Sequence, residues 1–303
     1  MSIKKTIAVL GACAMLCGME AARAQVSPTL KKIKETNSVT LGVRDTSVPF
    51  SYLDGEQQYR GYSIDLCMKV VAAIQKELGL SQLKVNLNPV TSATRIPLMA
   101  NGTIDLECGS TTNNVERQKQ VAFAPTMFLT ATRLLYKKSA GVHSLADLRG
   151  KTLVSTSGTS NLKELVEINA AKNLGIRIVT AKDHAEAFLM VETGRAVAFG
   201  MDDVLLAALA ASAKTPGDYA ISEESLTAAP YGIMLRRDDP VFKELVDHAI
   251  GAVYTSGEIK PIYAKWFQSP LPPKGVNLNW PMSEQLKRSF AKPRDSGEPG
   301  AYP

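Results

Sequence analysis

Aromatic residues are scarce in this sequence, at 6% of 303 residues, with only two Trp. Proteins that bind nucleic acids usually combine clustered basic residues with aromatic side chains that stack on the bases. Here the Lys and Arg residues are scattered, and the formal net charge of +6 is modest for the length. The sequence therefore predicts no nucleic-acid partner.

Long apolar runs are also missing, since a spanning helix needs about 20 consecutive apolar residues. The run at residues 6–19 is shorter, follows two lysines, and is succeeded by small residues up to Ala24. This is the layout of a cleaved secretory signal, so we predict cleavage after Ala24 and export to the periplasm. The alternative is lipid attachment at Cys13, because "LGAC" resembles the lipid-attachment box of bacterial lipoproteins. Removing residues 1–24 takes away three cations and one anion, which lowers the net charge from +6 to +4.

Cysteine is limited to four residues, and cleavage after Ala24 would remove Cys13 and Cys17. Cys67 and Cys108 would remain. In an oxidising compartment an isolated pair of this kind is most simply a disulfide. The alternative is two buried free thiols that pack as small hydrophobic residues.

Histidine is scarcer still, with three residues in the chain. Neither His143, His184 nor His248 stands at metal-ligand spacing from Cys67 or Cys108. We therefore predict no metal site and no cofactor.

Strand-like and helix-like segments alternate along the chain. The strand patterns include "SVTLGVRD", "LKVNLNPV", "TIDLEC" and "KTLVSTSG", and helical patterns include "SNLKELVEINAAKNLG" and "KDHAEAFLMVETG". This alternation predicts an α/β fold with parallel sheets covered on both faces. The helix faces predicted to point inward consist of Ile64, Cys67, Met68, Val71, Ile74 and Leu78 in the first large helix, and Leu162, Leu165 and Val166 in a later one.

Two such runs suit two lobes, which the chain would connect near "TATRLLYKK" and again near "TAAPYGIMLRR". We predict the first part of lobe 1 at residues 25–131, lobe 2 at 132–227, and a return to lobe 1 with C-terminal helices at 228–285. Residues 286–303 end in "KPRDSGEPGAYP", and this Pro- and Gly-rich composition predicts a flexible tail.

Polar residues follow several of the predicted strands. In open α/β sheets, ligands bind beyond the carboxyl ends of the strands and at helix N-termini. Nine residues stand at such junctions: Arg44, Ser92, Arg95, Ser110, Thr112, Arg117, Ser160, His184 and Asp202. Because Arg pairs bidentately with carboxylates, this set predicts a site for a small zwitterion with an extra negative charge. Taken singly, each has an ordinary alternative, such as a solvated loop charge for Arg44 or surface decoration for His184.

The segments "GVRDTSVPFSYLDG", "GYSIDLCMKVV", "TRIPLMANGTIDLECGSTTNNVERQKQVAFAP", "GKTLVSTSGTS", "AKDHAEAF" and "VAFGMDD" occur in this order. Together they resemble the periplasmic amino-acid-binding proteins of ABC importers, and most of all the glutamate/aspartate-binding branch. The resemblance covers nearly all of residues 30–285. It implies a type II periplasmic binding protein fold, with two α/β lobes, two hinge crossings and a ligand cleft between the lobes.

The resemblance also implies a role for each site residue. Arg117 would hold the α-carboxylate with hydroxyls of Thr112 and Ser160, and Asp202 would take the α-ammonium with Thr112 and the Ser110 carbonyl. The side-chain carboxylate of the ligand would be received by Arg44, Ser92, Arg95 and His184. Beside such a carboxylate, the charged form of His184 would be favoured.

Two residues depart from the family pattern. Ser63 stands where an acidic residue is usual, and we interpret it as the cap of the following helix; Ser160 stands where Thr is frequent. The expected partners are an acidic amino acid and the permease subunits of an inner-membrane transporter, with the protein itself a monomer. The sequence does not indicate a preference between glutamate and aspartate, because the one methylene by which they differ contributes only about 0.8 kcal/mol to the binding free energy.

Two other functional classes compete with binding. Some proteins of this fold are periplasmic dehydratases of prephenate-like acids, and such a reaction needs a general acid or base, for which His184 or Asp202 would have to serve. A receptor domain would need a membrane span or a signalling module, and the sequence shows neither. We therefore predict a binding protein and no enzyme.

Overall fold

In a computed structural model, the chain is described from residue 27 to residue 302. The predicted signal peptide, its cleavage after Ala24 and the alternative lipid site at Cys13 lie outside the described residues. Within that range, no helix is both long and apolar enough to cross a membrane.

The described chain alternates strands and helices. The α-helices are α1 Pro28–Thr36, α2 Tyr62–Glu77, α3 Arg95–Ala100, α4 Val115–Gln118, α5 Ser160–Ala171, α6 His184–Glu192, α7 Asp203–Ser212, α8 Pro240–Thr255, α9 Ile259–Phe267 and α10 Glu284–Ala291. The strands are β1 Ser38–Val43, β2 Thr46–Ser47, β3 Ser51–Leu53, β4 Tyr59–Arg60, β5 Lys84–Pro89, β6 Leu106–Glu107, β7 Val121–Phe123, β8 Phe128–Lys137, β9 Thr152–Thr156, β10 Arg177–Ala181, β11 Ala198–Asp202, β12 Tyr219–Ile221, β13 Thr227–Tyr231 and β14 Met234–Arg236.

Lobe 1 is built on a sheet with the strand order β5-β1-β6-β14-β7. Strand β1 lies parallel to both β5 and β6, with Leu41 paired to Leu87 and to Leu106. Helices α2 and α8 pack against each other beside this sheet. The parallel arrangement brings the C-terminal ends of β1, β5 and β6 to one edge, and the chain leaves that edge into Arg44, the loop before α3, and the loop at residues 108–114.

Lobe 2 is built on a second sheet with the order β10-β9-β11-β8-β12, and β13 also pairs with β8. Strands β9, β10 and β11 are parallel, whereas β8 runs antiparallel to its neighbours. The lobe 1 sheet is mixed as well, because β14 is antiparallel to β6 and β7. The prediction of parallel sheets is therefore wrong for β8 and β14 and the strands that pair with them. The two-lobe α/β architecture itself is confirmed.

The chain passes between the sheets twice, from β7 to β8 and from β13 to β14. The two connections lie side by side, because Phe128 pairs with Tyr231 and Leu129 pairs with Pro230 in an antiparallel ladder. Aromatic rings surround this junction, and Phe50 contacts both Phe128 and Tyr231 edge to face. The hinge between the lobes is thus a two-stranded crossing supported by a packed aromatic cluster.

The predicted disulfide is present between Cys67 and Cys108. Cys67 lies on α2, and Cys108 directly follows β6. The bond joins α2, one of the two 16-residue helices of lobe 1, to the start of the loop that contains Ser110 and Thr112.

Several local predictions are wrong. Gly61, not Ser63, caps α2, and the Ser63 hydroxyl instead donates to the Gly109 carbonyl at 2.8 Å. Met68 and Val166, predicted to point inward, are 43% and 47% exposed. Both stand at the edge of their helix's apolar stripe, where periodicity alone does not decide between core and solvent.

The C-terminal residues differ from the expected flexible tail. Helix α10 caps lobe 1 and packs against α8. Beyond it, the Asp295 carbonyl accepts hydrogen bonds from the side chains of Asn113 and Gln118. The Tyr302 hydroxyl lies 2.6 Å from Thr126 Oγ1. The segment forms one short 3₁₀ helix, Pro299–Ala301, and is otherwise irregular, but backbone carbonyls of Arg294 and Asp295 are hydrogen-bonded by lobe 1.

Candidate ligand-binding site

The nine residues predicted from the sequence come together where the two lobes meet. Eight of them are buried, with at most 7% of each residue exposed: Arg44, Ser92, Arg95, Ser110, Thr112, Arg117, His184 and Asp202. Ser160 is partly exposed at the N-terminus of α5. Arg44 is therefore not a solvated loop charge, and His184 is not surface decoration.

Arg117 joins the two lobes. Its Nη1 donates to the Thr112 carbonyl at 2.8 Å, and its Nη2 donates to the Gly158 carbonyl of lobe 2 at 3.3 Å. The Ser160 hydroxyl of lobe 2 donates to Thr112 Oγ1 at 3.2 Å. The Asn114 side chain caps α4 by accepting from the Arg117 backbone N–H. The loop of lobe 1 and the start of α5 in lobe 2 are thus in direct contact around one guanidinium.

Arg44 and Arg95 lie in lobe 1. Arg44 Nη2 donates to Ser92 Oγ at 2.9 Å. Arg95 Nη1 donates to Thr111 Oγ1 at 2.5 Å and to the Ser110 carbonyl at 3.3 Å. Arg44 Nη1 and Arg95 Nε are buried without a hydrogen-bond partner among the described residues.

Burial and mutual repulsion weaken the charged forms of these guanidiniums. Burial, and then the positive charge of Arg95, lowers the pKa of Arg44 to about 10 and that of Arg117 to about 9. Burial also lowers the pKa of Arg95. In all three cases the negative charge of Glu107 acts in the opposite direction. The arginines stay charged near neutral pH, and the shifts show that a further negative group here would be stabilising.

His184 is the first residue of α6, and the Asp183 side chain caps that helix by accepting from the Glu186 backbone N–H. Its Nδ1 lies 2.8 Å from Thr156 Oγ1, while Nε2 is buried without a hydrogen-bond partner among the described residues. Burial, followed by the charges of Arg44 and Arg95, holds the pKa of His184 well below its usual value. The neutral imidazole is therefore favoured. A ligand carboxylate would favour a charged His184, but the two neighbouring guanidiniums oppose that charge.

Asp202 is the buried acid of lobe 2. Its Oδ1 accepts from Asn161 Nδ2 at 2.9 Å, and its Oδ2 accepts a short hydrogen bond from the Tyr231 hydroxyl. Burial is the largest effect on this carboxyl and raises its pKa to about 6, although both hydrogen bonds act to lower it. A cation placed beside Asp202 would stabilise the ionised form and return the pKa toward its ordinary value.

Sequence reasoning missed five residues of the cluster: Glu107, Thr111, Thr156, Asn161 and Tyr231. Glu107 and Thr156 are each the last residue of a buried strand, and a polar residue at that position was an available signal. Tyr231 lies in the second crossing between lobes, and its pairing with Phe128 is a long-range contact that no local pattern shows.

The arrangement suits a small charged ligand. Across residues 27–302, eight buried side-chain nitrogen or oxygen atoms lack a hydrogen-bond partner in the protein, and five of them belong to this cluster: Arg44 Nη1, Arg95 Nε, Glu107 Oε1, Ser110 Oγ and His184 Nε2. Buried polar groups are normally hydrogen-bonded, so the four atoms of Arg44, Arg95, Ser110 and His184 are available to a ligand. Glu107 Oε1 instead lies 3.9 Å from Arg95 Nη1. Within the same range, no group of three or more His, Cys, Asp or Glu side chains is placed to hold a metal ion.

Several known proteins are similar to this chain in sequence or in fold. The chain is 54% identical to the L-glutamate/L-aspartate-binding protein of Pseudomonas aeruginosa over 272 residues, which is 89% of this chain and 90% of that protein. It is 45% identical to the glutamate/aspartate import solute-binding protein of Escherichia coli K12 over 298 residues, covering 97% of this chain and 99% of that protein. A solved structure of a mutant of ArgBP from T. maritima has a TM-score of 0.71 at 25% identity and covers 79% of this chain and 99% of that one. Residues 39–269 match the bacterial extracellular solute-binding proteins, family 3, and the chain belongs to that family.

Proposed function

We propose that this protein is the exported substrate-binding component of an ABC-type amino-acid importer and that it binds L-glutamate and L-aspartate between its lobes. The relatives named for glutamate and aspartate binding support this assignment. In this role the protein performs no chemistry. It captures the ligand by closure of the lobes and delivers it to permease subunits in the inner membrane.

The observation that carries the proposal is the buried concentration of positive charge with unused donors. Three guanidiniums lie in one cluster, and Arg44 Nη1, Arg95 Nε and His184 Nε2 have no partner among the described residues. A buried charge without a counter-ion is strongly disfavoured. A ligand that brings two carboxylates and one ammonium satisfies both the arginines and Asp202.

Arg117 and Asp202 would recognise the part common to all amino acids. Arg117 binds the α-carboxylate, with hydroxyl groups of Thr112 and Ser160 as further donors. Asp202 accepts from the α-ammonium and keeps its contact with Asn161. These groups come from both lobes, so the ligand head is bound fully only when the lobes are closed.

Arg44, Ser92, Arg95 and His184 would recognise the side-chain carboxylate. A neutral His184 still donates one hydrogen bond from Nε2 if Nδ1 accepts from the Thr156 hydroxyl. Glutamine would leave the guanidiniums without an anion. We expect a penalty of about 3 kcal/mol or more, which is roughly a hundredfold or more in affinity.

Calorimetric titration tests the proposal directly. Mature protein is unfolded, freed of any carried ligand and refolded, and is then titrated with L-glutamate, L-aspartate and L-glutamine in parallel. We expect tight binding of one or both acids and binding of glutamine at least about a hundredfold weaker. Equal or tighter binding of glutamine would refute the assigned ligand class. Mass spectrometry of the recovered ligand should show it chemically unchanged, and turnover of a prephenate-like acid would instead support a dehydratase.

A further inference from the structure

Glu107 is a buried carboxylate in the middle of the arginine cluster. It is the last residue of β6, where it pairs with Gly42 of β1 and with Met234 of β14, and none of its surface is exposed. It has no role in the ligand contacts proposed above. Its position at the strand end nevertheless places it beneath the loop that contains Ser110 and Thr112.

The contacts of Glu107 run to Arg95. Its Oε2 accepts from Thr111 Oγ1 at 2.6 Å, and the same Thr111 hydroxyl oxygen accepts from Arg95 Nη1 at 2.5 Å. Its Oε1 lies 3.9 Å from Arg95 Nη1 and has no hydrogen-bond partner in the described part of the chain. Glu107 is thus an indirect counter-ion, linked to Arg95 through one hydroxyl.

Gly109 provides the space for this carboxylate. A Cβ atom on Gly109 would lie 2.3 Å from Glu107 Oε1 and 2.8 Å from Arg44 Cγ. A larger residue would have to displace either the acid or the neighbouring arginine. The chain therefore keeps Glu107 and Arg44 close together as well.

The charges of the buried cluster can be counted. Counted by formal charge, the buried Arg44, Arg95 and Arg117 contribute three positive charges, and the buried Asp202 and Glu107 contribute two negative charges. Neutral His184 contributes none. The sum is +1. Three further acids nearby are outside the count. Asp45 acts on Arg44 but is exposed, Asp203 pairs with Arg133 of lobe 2, and Glu164 is only partly buried.

A net charge of +1 matches one class of ligand. An acidic amino acid carries two carboxylates and one ammonium, hence a net charge of −1, and its binding leaves the site neutral. A dicarboxylate without an ammonium group carries −2 and leaves the buried site at −1. Without Glu107 the site would carry +2, and the dicarboxylate would be the ligand that neutralises it. Buried net charge is costly, so the preference should follow this count.

We propose that Glu107 is a specificity-determining residue that sets the net charge of the site to +1 and thereby favours acidic amino acids over dicarboxylates that lack an ammonium group. This inference rests on the proposed function, because it assumes that the site binds acidic amino acids. Glu107 acts through its contact with Arg95 and through its effect on the electrostatic potential of the buried cluster, and it does not touch the ligand. A purely structural Glu107 would support folding without affecting the relative affinities of the two ligand classes.

Glu107→Gln tests the proposal, because glutamine has the same shape and still accepts from Thr111. The dissociation constants of L-glutamate and glutarate are measured by calorimetry for the wild type and the variant at pH 7.5. Glutarate has the same two carboxylates as glutamate and no ammonium. We expect the ratio of the glutarate to the glutamate dissociation constant to fall at least tenfold in Glu107→Gln. Asp105→Asn is the matched control, since Asp105 is also fully buried, precedes the same strand and pairs with Lys32 and Arg236 away from the site.

The outcomes separate this proposal from the function itself. Wild-type protein that binds neither glutamate nor aspartate would refute both. Wild-type protein that binds glutamate, with an unchanged ratio in Glu107→Gln, would overturn only the role of Glu107, as would an equal fall in the ratio in Asp105→Asn. If Glu107→Gln does not fold, the wild type decides: titration in buffers of different ionisation enthalpy should show more proton uptake with glutarate than with glutamate. Equal proton uptake for the two ligands would overturn the proposal.

Discussion

Gly158 of lobe 2 packs against Ala93 of lobe 1 with no room for a side chain between them. A Cβ atom on Gly158 would lie 2.6 Å from the Ala93 Cα and backbone nitrogen. Gly158 also has a φ of +76° and offers its carbonyl to Arg117. The contact lies beside the ligand site, so the closed arrangement of the lobes depends on the small size of this residue.

Gly158→Ala is expected to weaken glutamate binding at least tenfold, because the added methyl group holds the lobes apart and the ligand head needs groups from both. Gly194→Ala is the matched control. Gly194 lies in the same lobe with a φ of +74°, so it carries the same backbone strain, but its Cβ would meet no atom within 4 Å. Calorimetry gives the affinities, and small-angle scattering in the presence of glutamate should show a more open form for Gly158→Ala only. Equal affinities in the two variants would contradict closure through this contact.

The division of the site into a common part and a side-chain part predicts different effects of two arginine variants. Arg117→Ala should abolish binding of every amino acid, because it removes the guanidinium that is proposed to bind the α-carboxylate. Arg95→Ala should weaken glutamate and aspartate binding but leave glutamine binding unchanged or stronger, since it removes the one positive charge that glutamine leaves uncompensated in the buried cluster.

Parallel titrations of both arginine variants with glutamate and glutamine check this division. Arg95 also holds Thr111 and the Ser110 carbonyl, so thermal melting of each variant must first show a folded protein. An equal loss of affinity for glutamate and glutamine in both variants would exclude the assignment of separate protein groups to the amino-acid head and to the ligand side chain.

The raised pKa of Asp202 predicts that glutamate binding weakens in mild acid. The ionised carboxylate is needed to accept the ammonium, and its pKa is about 6 in the ligand-free protein, mainly because of burial. Affinity should therefore be nearly constant between pH 7 and pH 8, below the pKa of about 9 of Arg117, and should fall about tenfold between pH 7 and pH 5. The carboxyl groups of free glutamate titrate lower, near pH 4, and do not contribute in this window. Asp202→Asn should bind weakly with a flat profile between pH 7 and pH 5, and a wild-type profile that is flat as well would exclude this role.

The same group predicts the sign of a stability change. Because the folded-state pKa of Asp202 is raised above its ordinary value of 3.8, the folded protein binds this proton more tightly than the unfolded chain does. Asp202 should therefore stabilise the ligand-free protein increasingly as the pH falls from about 6 toward 4. The free energy of unfolding of wild type minus that of Asp202→Asn, measured by urea denaturation at several pH values, should rise over this range. A difference independent of pH would show that Asp202 does not titrate there.

The Cys67–Cys108 disulfide closes a sequence separation of 41 residues. A loop of this size predicts about 4 kcal/mol of stabilisation through the lower entropy of the unfolded chain. Thiol counting on unfolded, unreduced protein should find no reactive thiol. The Cys67→Ser/Cys108→Ser double variant should unfold at a clearly lower urea concentration. Two reactive thiols in the unreduced protein would refute the bond in solution.

Much of the fold was predictable because its elements follow local patterns. Strand β1, helix α2 and the Asp183 cap of α6 are set by alternation, helical periodicity and capping chemistry within a few residues. The nine residues that cluster where the lobes meet were selected by one rule about strand ends, together with the family resemblance; their role in binding stays a prediction. That rule depends only on where parallel strands end.

The remaining features depend on contacts between distant parts of the chain. Tyr231 reaches Asp202 because the second crossing pairs with the first, and Glu107 becomes a counter-ion because Gly109 leaves room for it. Ser63 looks like a helix cap in sequence, but Gly61 takes that position and Ser63 bonds the Gly109 carbonyl. Each outcome is decided by packing between segments that are separate in sequence.

The C-terminal segment provides a last prediction, because its composition suggested a loose tail and the structure places it against Asn113 and Asn114. Gly297 is buried, and a Cβ atom on it would lie 2.8 Å from the Asn114 carbonyl carbon. Asn114 caps α4 and accepts from the backbone N–H of Arg117. A methyl group at position 297 would therefore displace Asn114, and with it Arg117, the residue that is proposed to bind the α-carboxylate.

Gly297→Ala is expected to weaken glutamate and aspartate binding several-fold to the same extent, with a small loss in thermal stability. Gly300→Ala in the same segment is the control, since its Cβ would meet no atom within 4 Å. Neither substitution changes a charge, so glutamine should not gain relative to glutamate. If the C-terminal segment were loose in solution, the methyl group would be accommodated by its movement and both variants would bind like the wild type. Calorimetry on the two variants therefore decides whether the C-terminal segment holds Asn114 and Arg117 in place.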